Sequence, residues 1–134
     1  MKKISNFLFI GIFGFLVFNF FFKNQAEADA KKSYESYQSG NAIFVDVREE
    51  SEVKEGMIKG AHLIPLSKFE ATPKIEIEKL KQLATNKEIF VYCRSGNRSG
   101  RVQNILKEAG IRSVNMGGYS SLVNDNLPTQ TGPR

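Results

Sequence analysis

A chain of 134 residues with a formal net charge of +5 and a single cysteine leaves few classes of function open. The length allows one domain and little more. The positive balance is mild, and no basic stripe interleaved with aromatics runs through it, which gives nucleic-acid binding no support. One cysteine excludes an internal disulfide, and one histidine, His62, leaves little material for a Cys–His dyad or a histidine metal site.

The first stretch stands apart from the rest. Lys2 and Lys3 precede an apolar run from Phe7 to Phe22 broken only by Asn19, and Ala26-Glu27-Ala28 follows. This is the three-part pattern of a secretory signal with cleavage after Ala28, and Ala28-Asp29-Ala30 is a second candidate site shifted by two. The run is slightly long for a signal core and slightly short for a spanning helix, so residues 7–22 as an uncleaved inner-membrane anchor are the alternative. Either way the domain is expected outside the cytoplasm, periplasmic or otherwise extracytoplasmic, touching a membrane only if the segment stays attached. The expected division is a signal or anchor over 1–28, a domain over 29–128 and a loose tail over 129–134. Only Phe44, Phe69 and Phe90 of the phenylalanines then remain for the fold.

Ala28 to Ser39 reads as a short helix packing through Tyr34 and Tyr37, ended by Gly40-Asn41. Ala42 to Val47 is a continuous apolar run ending in Asp46, the mark of a buried parallel strand. Arg48 to Lys54 suggests a short helix closed by Gly56, whose Glu49, Glu50, Glu52 and Glu55 read as a solvated face. His62-Leu63-Ile64 is a brief strand before Pro65. From Pro73, a first-turn residue, Ile75, Ile77, Leu80 and Leu83 space a helix of about three turns. Ile89 to Tyr92 is another buried strand, and Val102, Ile105, Leu106 and Ala109 mark the inward face of a helix ended by Gly110. Ile111 to Asn115 reads as the last strand, Gly117-Gly118 as a turn, and Ser120 to Asn126 as a final helical turn. Strands alternating with helices predict an α/β domain with a mainly parallel sheet, whose ligands bind beyond the carboxyl ends of the strands.

Cys93 sits at such an end, between a strand and a helix, followed by Arg94-Ser95-Gly96-Asn97-Arg98-Ser99. Successive backbone N–H groups in a tight turn, with a helix N-terminus behind them, make an anion-binding concavity. Together with Arg94, Arg98 and Arg101 these favour thiolate over thiol, so the pKa of Cys93 is expected to be lowered. A structural core cysteine is the bland alternative, but such a cysteine is seldom followed at once by so polar and cationic a loop.

Three blocks carry a family resemblance. They are Val45-Asp46-Val47-Arg48-Glu49; Gly56 to Ala61 followed by Ile64-Pro65-Leu66; and Val91 to Ser99 followed by Gly117-Gly118-Tyr119. Together they resemble the rhodanese homology domain from about Asp29 to Pro128. Met57 stands where that family usually has histidine, and Leu122 where an aromatic is common. The resemblance implies a five-stranded, mainly parallel sheet flanked by helices on both faces. It also implies that Cys93 takes a sulfane sulfur from a small anionic donor such as thiosulfate and forms a persulfide. The sulfur then passes to a thiol, to cyanide or to a protein acceptor, with no metal or other cofactor. Residues Arg94 to Ser99 would hold the donor and the persulfide, while Asp46 and Arg48 brace the site. A cysteine-dependent phosphatase or arsenate reductase is the runner-up. Such enzymes carry five residues between cysteine and arginine, whereas four separate Cys93 from Arg98. A non-enzymatic sulfur carrier or binding module is the third reading.

Overall fold

The computed structural model describes residues 29–133; the expected signal or anchor over 1–28 lies outside the described residues. Helix α1 covers residues 29–38. After it come β1 (Ala42–Asp46), α2 (Glu50–Val53), β2 (Met57–Ile58), β3 (His62–Leu63), α3 (Leu66–Ala71) and α4 (Pro73–Leu83). The chain closes with β4 (Glu88–Cys93), α5 (Asn97–Glu108), β5 (Val114–Gly118), α6 (Tyr119–Asn124) and β6 (Thr129–Gln130). No helix among the described residues is long and apolar enough to cross a membrane.

The main sheet is parallel, in the order β3-β1-β4-β5. Its two central strands alternate strictly. Ile43, Val45 and Val47 with Ile89, Val91 and Cys93 face Leu66, Phe69, Leu80, Val102 and Leu106 of α3, α4 and α5. Phe44, Phe90 and Tyr92 face the other way, onto Ala30 and Tyr34 of α1 and Leu122 of α6. A period-2 strand buried on both faces needs helices on both faces, which the continuous apolar runs demanded.

Four described strands make this sheet, where the resemblance implied five. Met57–Ile58 lies outside it. The Gly56 carbonyl accepts from Arg48 Nη2 at 2.8 Å, and the Ile58 N–H donates to the Tyr92 hydroxyl at 3.0 Å. β2 pairs instead, antiparallel, with β6. The expected tail over 129–134 is therefore tied down at its start: Thr129 and Gln130 pair with Ile58 and Met57, Gln130 Oε1 accepts the Gly60 N–H at 3.0 Å, and Gly132 is buried. The last strand also begins later than its sequence suggests. Ile111 N–H closes on the Leu106 carbonyl at 2.8 Å and Gly110 N–H on that of Lys107 at 3.0 Å, a Schellman ending that commits Ile111 to the helix terminus. The strand then runs on through Gly118.

The chain leaves β1 toward β3 and leaves β4 toward β5, in opposite directions. The carboxyl ends of the neighbouring β1 and β4 thus flank the sheet's switch point, where α/β sheets leave a crevice. Asp46 and Cys93 are at those ends.

Phe44 is 0% exposed and lies 5.4 Å from the Phe90 ring and 6.0 Å from that of Tyr34, centroid to centroid. Phe44→Ala is expected to lower the unfolding free energy by about 3–5 kcal/mol in urea titration; a loss below about 1 kcal/mol would mean that α1 is not part of the cooperative core.

Candidate active site

Cys93 ends β4 and is 0% exposed. Its Sγ accepts the backbone N–H of Gly96 at 3.0 Å and the Ser99 hydroxyl at 3.3 Å. Burial pushes the thiol up, since a charged sulfur loses its water. The Ser99 hydroxyl and the backbone N–H groups of Ser99, Ser95 and Gly96 push it down and prevail, leaving Cys93 below the ordinary thiol value.

This ring of donors exists because the chain turns sharply between β4 and α5. Gly96, the residue before the helix, has φ 94°, a region that L side chains avoid. A Cβ there would stand 3.2 Å from Gly117 Cα, and one on Gly118 would stand 2.5 Å from the Arg94 carbonyl oxygen. The Gly117-Gly118 segment is thus packed directly against the cysteine loop at the carboxyl edge of the sheet.

The other predicted residues divide by position. Arg94, Ser95 and Asn97 are exposed and form the rim; Ser99 is buried beneath it; Gly96 and Arg98 are partly covered. Ser95 supplies its backbone N–H to the sulfur. Arg98 is not turned to an open anion site. Its guanidinium makes a two-pronged pair with Glu52 of α2, at 2.6 and 2.7 Å, and this holds the Glu52 carboxyl down at about 2. Arg98 stays within electrostatic reach of Cys93. Arg101 pairs with Glu70 of α3. The acidity of Cys93 therefore rests on hydrogen-bond donors beside the sulfur rather than on the three arginines, two of which already have carboxylate partners.

Asp46 and Arg48 form a buried pair beside the site. Arg48 donates to Asp46 from Nε at 3.1 Å and from Nη2 at 2.8 Å, and its backbone N–H reaches the same carboxylate at 3.0 Å. The guanidinium lies 4.2 Å from the Tyr119 ring centroid, a cation–π contact. Tyr92, next to Cys93, is part of this cluster; burial first, then the Asp46 carboxylate, push its hydroxyl far above the ordinary tyrosine value.

Two residues at the site carried no usable signal in the sequence. Glu52 belongs to the acidic run read as a solvated face; its contacts with Arg98 and with the Glu49 N–H, at 2.8 Å, set it apart. Asn115 reads as an ordinary strand residue. Its Oδ1 accepts the Ser99 hydroxyl at 2.8 Å and the Gly117 N–H at 3.0 Å, and its Nδ2 donates to the Gly96 carbonyl at 2.9 Å. No group of three or more His, Cys, Asp or Glu side chains that would hold a metal lies among the described residues.

Residues 29–125 match the family model described as the rhodanese-like domain. The chain is 35% identical over 86 residues to a mitochondrial protein of Schizosaccharomyces pombe named, provisionally, as a thiosulfate sulfurtransferase; the match covers 60% of this chain and 59% of that one. It is 40% identical over 75 residues to the Bacillus subtilis protein YtwF, provisionally a sulfurtransferase, covering 56% of this chain and 66% of that one. The chain thus spans about three fifths of the length of these relatives. Among solved structures it is similar to a rhodanese with anions from Escherichia coli, with a TM-score of 0.55 and 28% identity over 68% of this chain and 99% of the other. It is also similar to a rhodanese-related protein of Thermoplasma volcanium, with a TM-score of 0.61 and 29% identity over 75% and 93% of the two chains. With the fold, the cysteine loop and these likenesses in agreement, the chain belongs to the rhodanese-like domain family.

Proposed function

We propose that this protein is a sulfurtransferase that moves a sulfane sulfur from thiosulfate or a related anionic donor to a thiophilic acceptor through Cys93. The observation that carries the reading is the Cys93 sulfur set among inward-facing donors from Ser95, Gly96 and Ser99. Such a ring stabilises a sulfur anion in either of its two forms, thiolate or persulfide.

The chemistry is a double displacement. The Cys93 thiolate attacks the outer sulfur of thiosulfate, a new S–S bond forms, and the donor's S–S bond breaks with its electron pair leaving on sulfite. The terminal sulfur of the persulfide carries the negative charge, and the loop amides stabilise it as an oxyanion hole stabilises oxygen. An acceptor such as cyanide or a thiolate then attacks that outer sulfur, and Cys93 leaves as thiolate. Arg94, exposed on the rim, draws in the anionic donor, while Arg98 remains braced by Glu52. Asn97 and Ser95 line the entry. Asp46 and Arg48 brace the strand ends from behind.

The oxyanion reading, a phosphatase or arsenate reductase, is less well supported. Four residues between Cys93 and Arg98 make a ring suited to one sulfur atom, and the arginine such chemistry would place over a tetrahedral anion is taken by Glu52.

Export is the companion proposal for residues 1–28. Of the two candidate cleavage sites, the second would remove Ala30, which is 1% exposed and packs in the core beside Tyr34. Cleavage after Ala28 leaves α1 whole. N-terminal sequencing of protein recovered from cell fractions is expected to begin at Asp29; a start at Met1 in the membrane fraction would establish the anchor instead.

Intact mass after incubation with thiosulfate tests the transfer. The wild type is expected to gain one sulfur atom and to lose it to cyanide with thiocyanate appearing, while Cys93→Ser gains nothing. No gain, with hydrolysis of an aryl phosphate or reduction of arsenate, would replace this reading with the oxyanion one. Gly118→Ala, whose Cβ collides with the Arg94 carbonyl, is expected to slow sulfur uptake on the order of a hundred-fold with the far-UV spectrum intact. Unchanged uptake would show that the loop tolerates displacement of β5.

A further inference from the structure

We propose that Asn115 is a positioning residue of this site, fixing through one side-chain amide two of the groups that donate to the Cys93 sulfur, the Gly96 N–H and the Ser99 hydroxyl. The inference deepens the functional reading and rests on it for its purpose, though not for its test.

Of the donors around Sγ, the Gly96 N–H at 3.0 Å and the Ser99 hydroxyl at 3.3 Å are both held by Asn115. Its Nδ2 binds the carbonyl of Gly96, the residue whose N–H points at the sulfur. Its Oδ1 accepts the hydroxyl of Ser99 at 2.8 Å, while the same oxygen of Ser99 stands 3.3 Å from Sγ. The amide cannot be turned over without loss. Flipping it would set Nδ2 against the Gly117 N–H and Oδ1 against the Gly96 carbonyl, two repulsive pairs in place of two hydrogen bonds. The residue is held in turn by an Asx turn to Gly117, two residues on, which ties it to the segment packed against Arg94. The Asn115 amide bonds to Ser99, Gly96 and Gly117 rather than to the sulfur, so what it does to Cys93 it does through Gly96 and Ser99.

A hydroxyl has one proton to give. With Oδ1 at 2.8 Å and Sγ at 3.3 Å, the Ser99 proton serves one acceptor at a time. When the sulfur is a neutral thiol, the amide oxygen is the better acceptor. Once it is an anion, the charge makes sulfur the better one, and the proton turns to it with no movement of heavy atoms. Asn115 thus keeps the hydroxyl within reach and otherwise satisfied, so that a buried donor is never left without a partner as the sulfur's charge comes and goes in the transfer cycle.

None of the charged groups around the sulfur is hydrogen-bonded to Asn115: Arg98 of α5 pairs with Glu52 of α2, Arg101 with Glu70 of α3, Arg48 with Asp46 at the end of β1, and Arg94 lies on the rim. Any change in Cys93 acidity then reports on the donors.

The test is the pH dependence of Cys93 alkylation by iodoacetamide in the full chain, which needs no sulfur donor. In Asn115→Ala the midpoint is expected to rise by about one pH unit, the size of one hydrogen bond to a charged group. In Ser99→Ala, adding Asn115→Ala is expected to raise it further by less than it does alone, because one of its two routes is already gone. An unchanged or lowered midpoint in folded Asn115→Ala (a fall would mean that Asn115 competes with the sulfur for the Ser99 proton), or full additivity with Ser99→Ala, would overturn the proposal. Should Asn115→Ala fail to fold, Asn115→Ser, small and polar, carries the same comparison with the same outcomes. A midpoint that moves as stated in Asn115→Ala, together with a wild type that takes no sulfur from thiosulfate, would reject the functional reading and leave the role of Asn115 standing.

Discussion

The structure depends on the strand that ends in Cys93. Its alternate residues bury Ile89, Val91 and Cys93 on one face and Phe90 and Tyr92 on the other. The same alternation that builds the two cores therefore delivers a thiol to the carboxyl end of a central strand, shielded from water. A buried sulfur in that position would ordinarily resist ionisation. What reverses this is local: a turn tight enough to need glycine at φ 94°, closed by a helix whose first residues aim N–H groups and one hydroxyl back at the sulfur.

A second layer of charge holds that turn in place from behind. The Asp46–Arg48 pair is buried, and a buried pair is weak evidence of stability in itself, since desolvation offsets most of its attraction. Its consequence here is geometric. Arg48 reaches past Asp46 to the Gly56 carbonyl, fixing the end of the segment that carries α2, and α2 presents Glu52 to Arg98 at the start of α5. On the opposite flank, β5 presses Gly118 onto Arg94 and threads Asn115 between Gly96 and Ser99. The cysteine loop is thus gripped from α2 on one side and from β5 on the other. A loop held that way keeps its donors aimed whether the sulfur is a thiol, a thiolate or a persulfide.

Much of this was legible in the residues. The apolar runs at Ala42–Asp46 and Glu88–Cys93 marked buried parallel strands, and the spacing of Val102, Ile105 and Leu106 marked the helix that follows the cysteine. The polar, glycine-bearing loop after Cys93 advertised chemistry by itself. Other features were hidden because they depend on contacts between distant residues. Nothing local distinguishes Glu52 from Glu50, or Asn115 from any strand asparagine. β2 and β6 are two residues each, too short for a period to show. Val114–Gly118 was misplaced by a few residues because a pair of glycines reads as a turn, whereas here their lack of side chains lets a strand run against the loop. The arginines count for less than their number suggests for a physical reason: carboxylate partners offset much of the field that Arg98 and Arg101 put on the sulfur.

The central claim is that short-range hydrogen-bond donors, not the field of the arginines, make Cys93 acidic. Thiolate absorbance of the wild type, titrated against pH at low and at high salt, tests it most directly. Donors within the loop act at contact distance and are scarcely screened, whereas exposed charges lose their reach as the Debye length shrinks from about 30 Å at 0.01 M to about 3 Å at 1 M. The account predicts a midpoint below the ordinary thiol value of about 8.5 that stays put as salt is added. A midpoint at the ordinary value, or a low one that climbs steadily with salt, would contradict it.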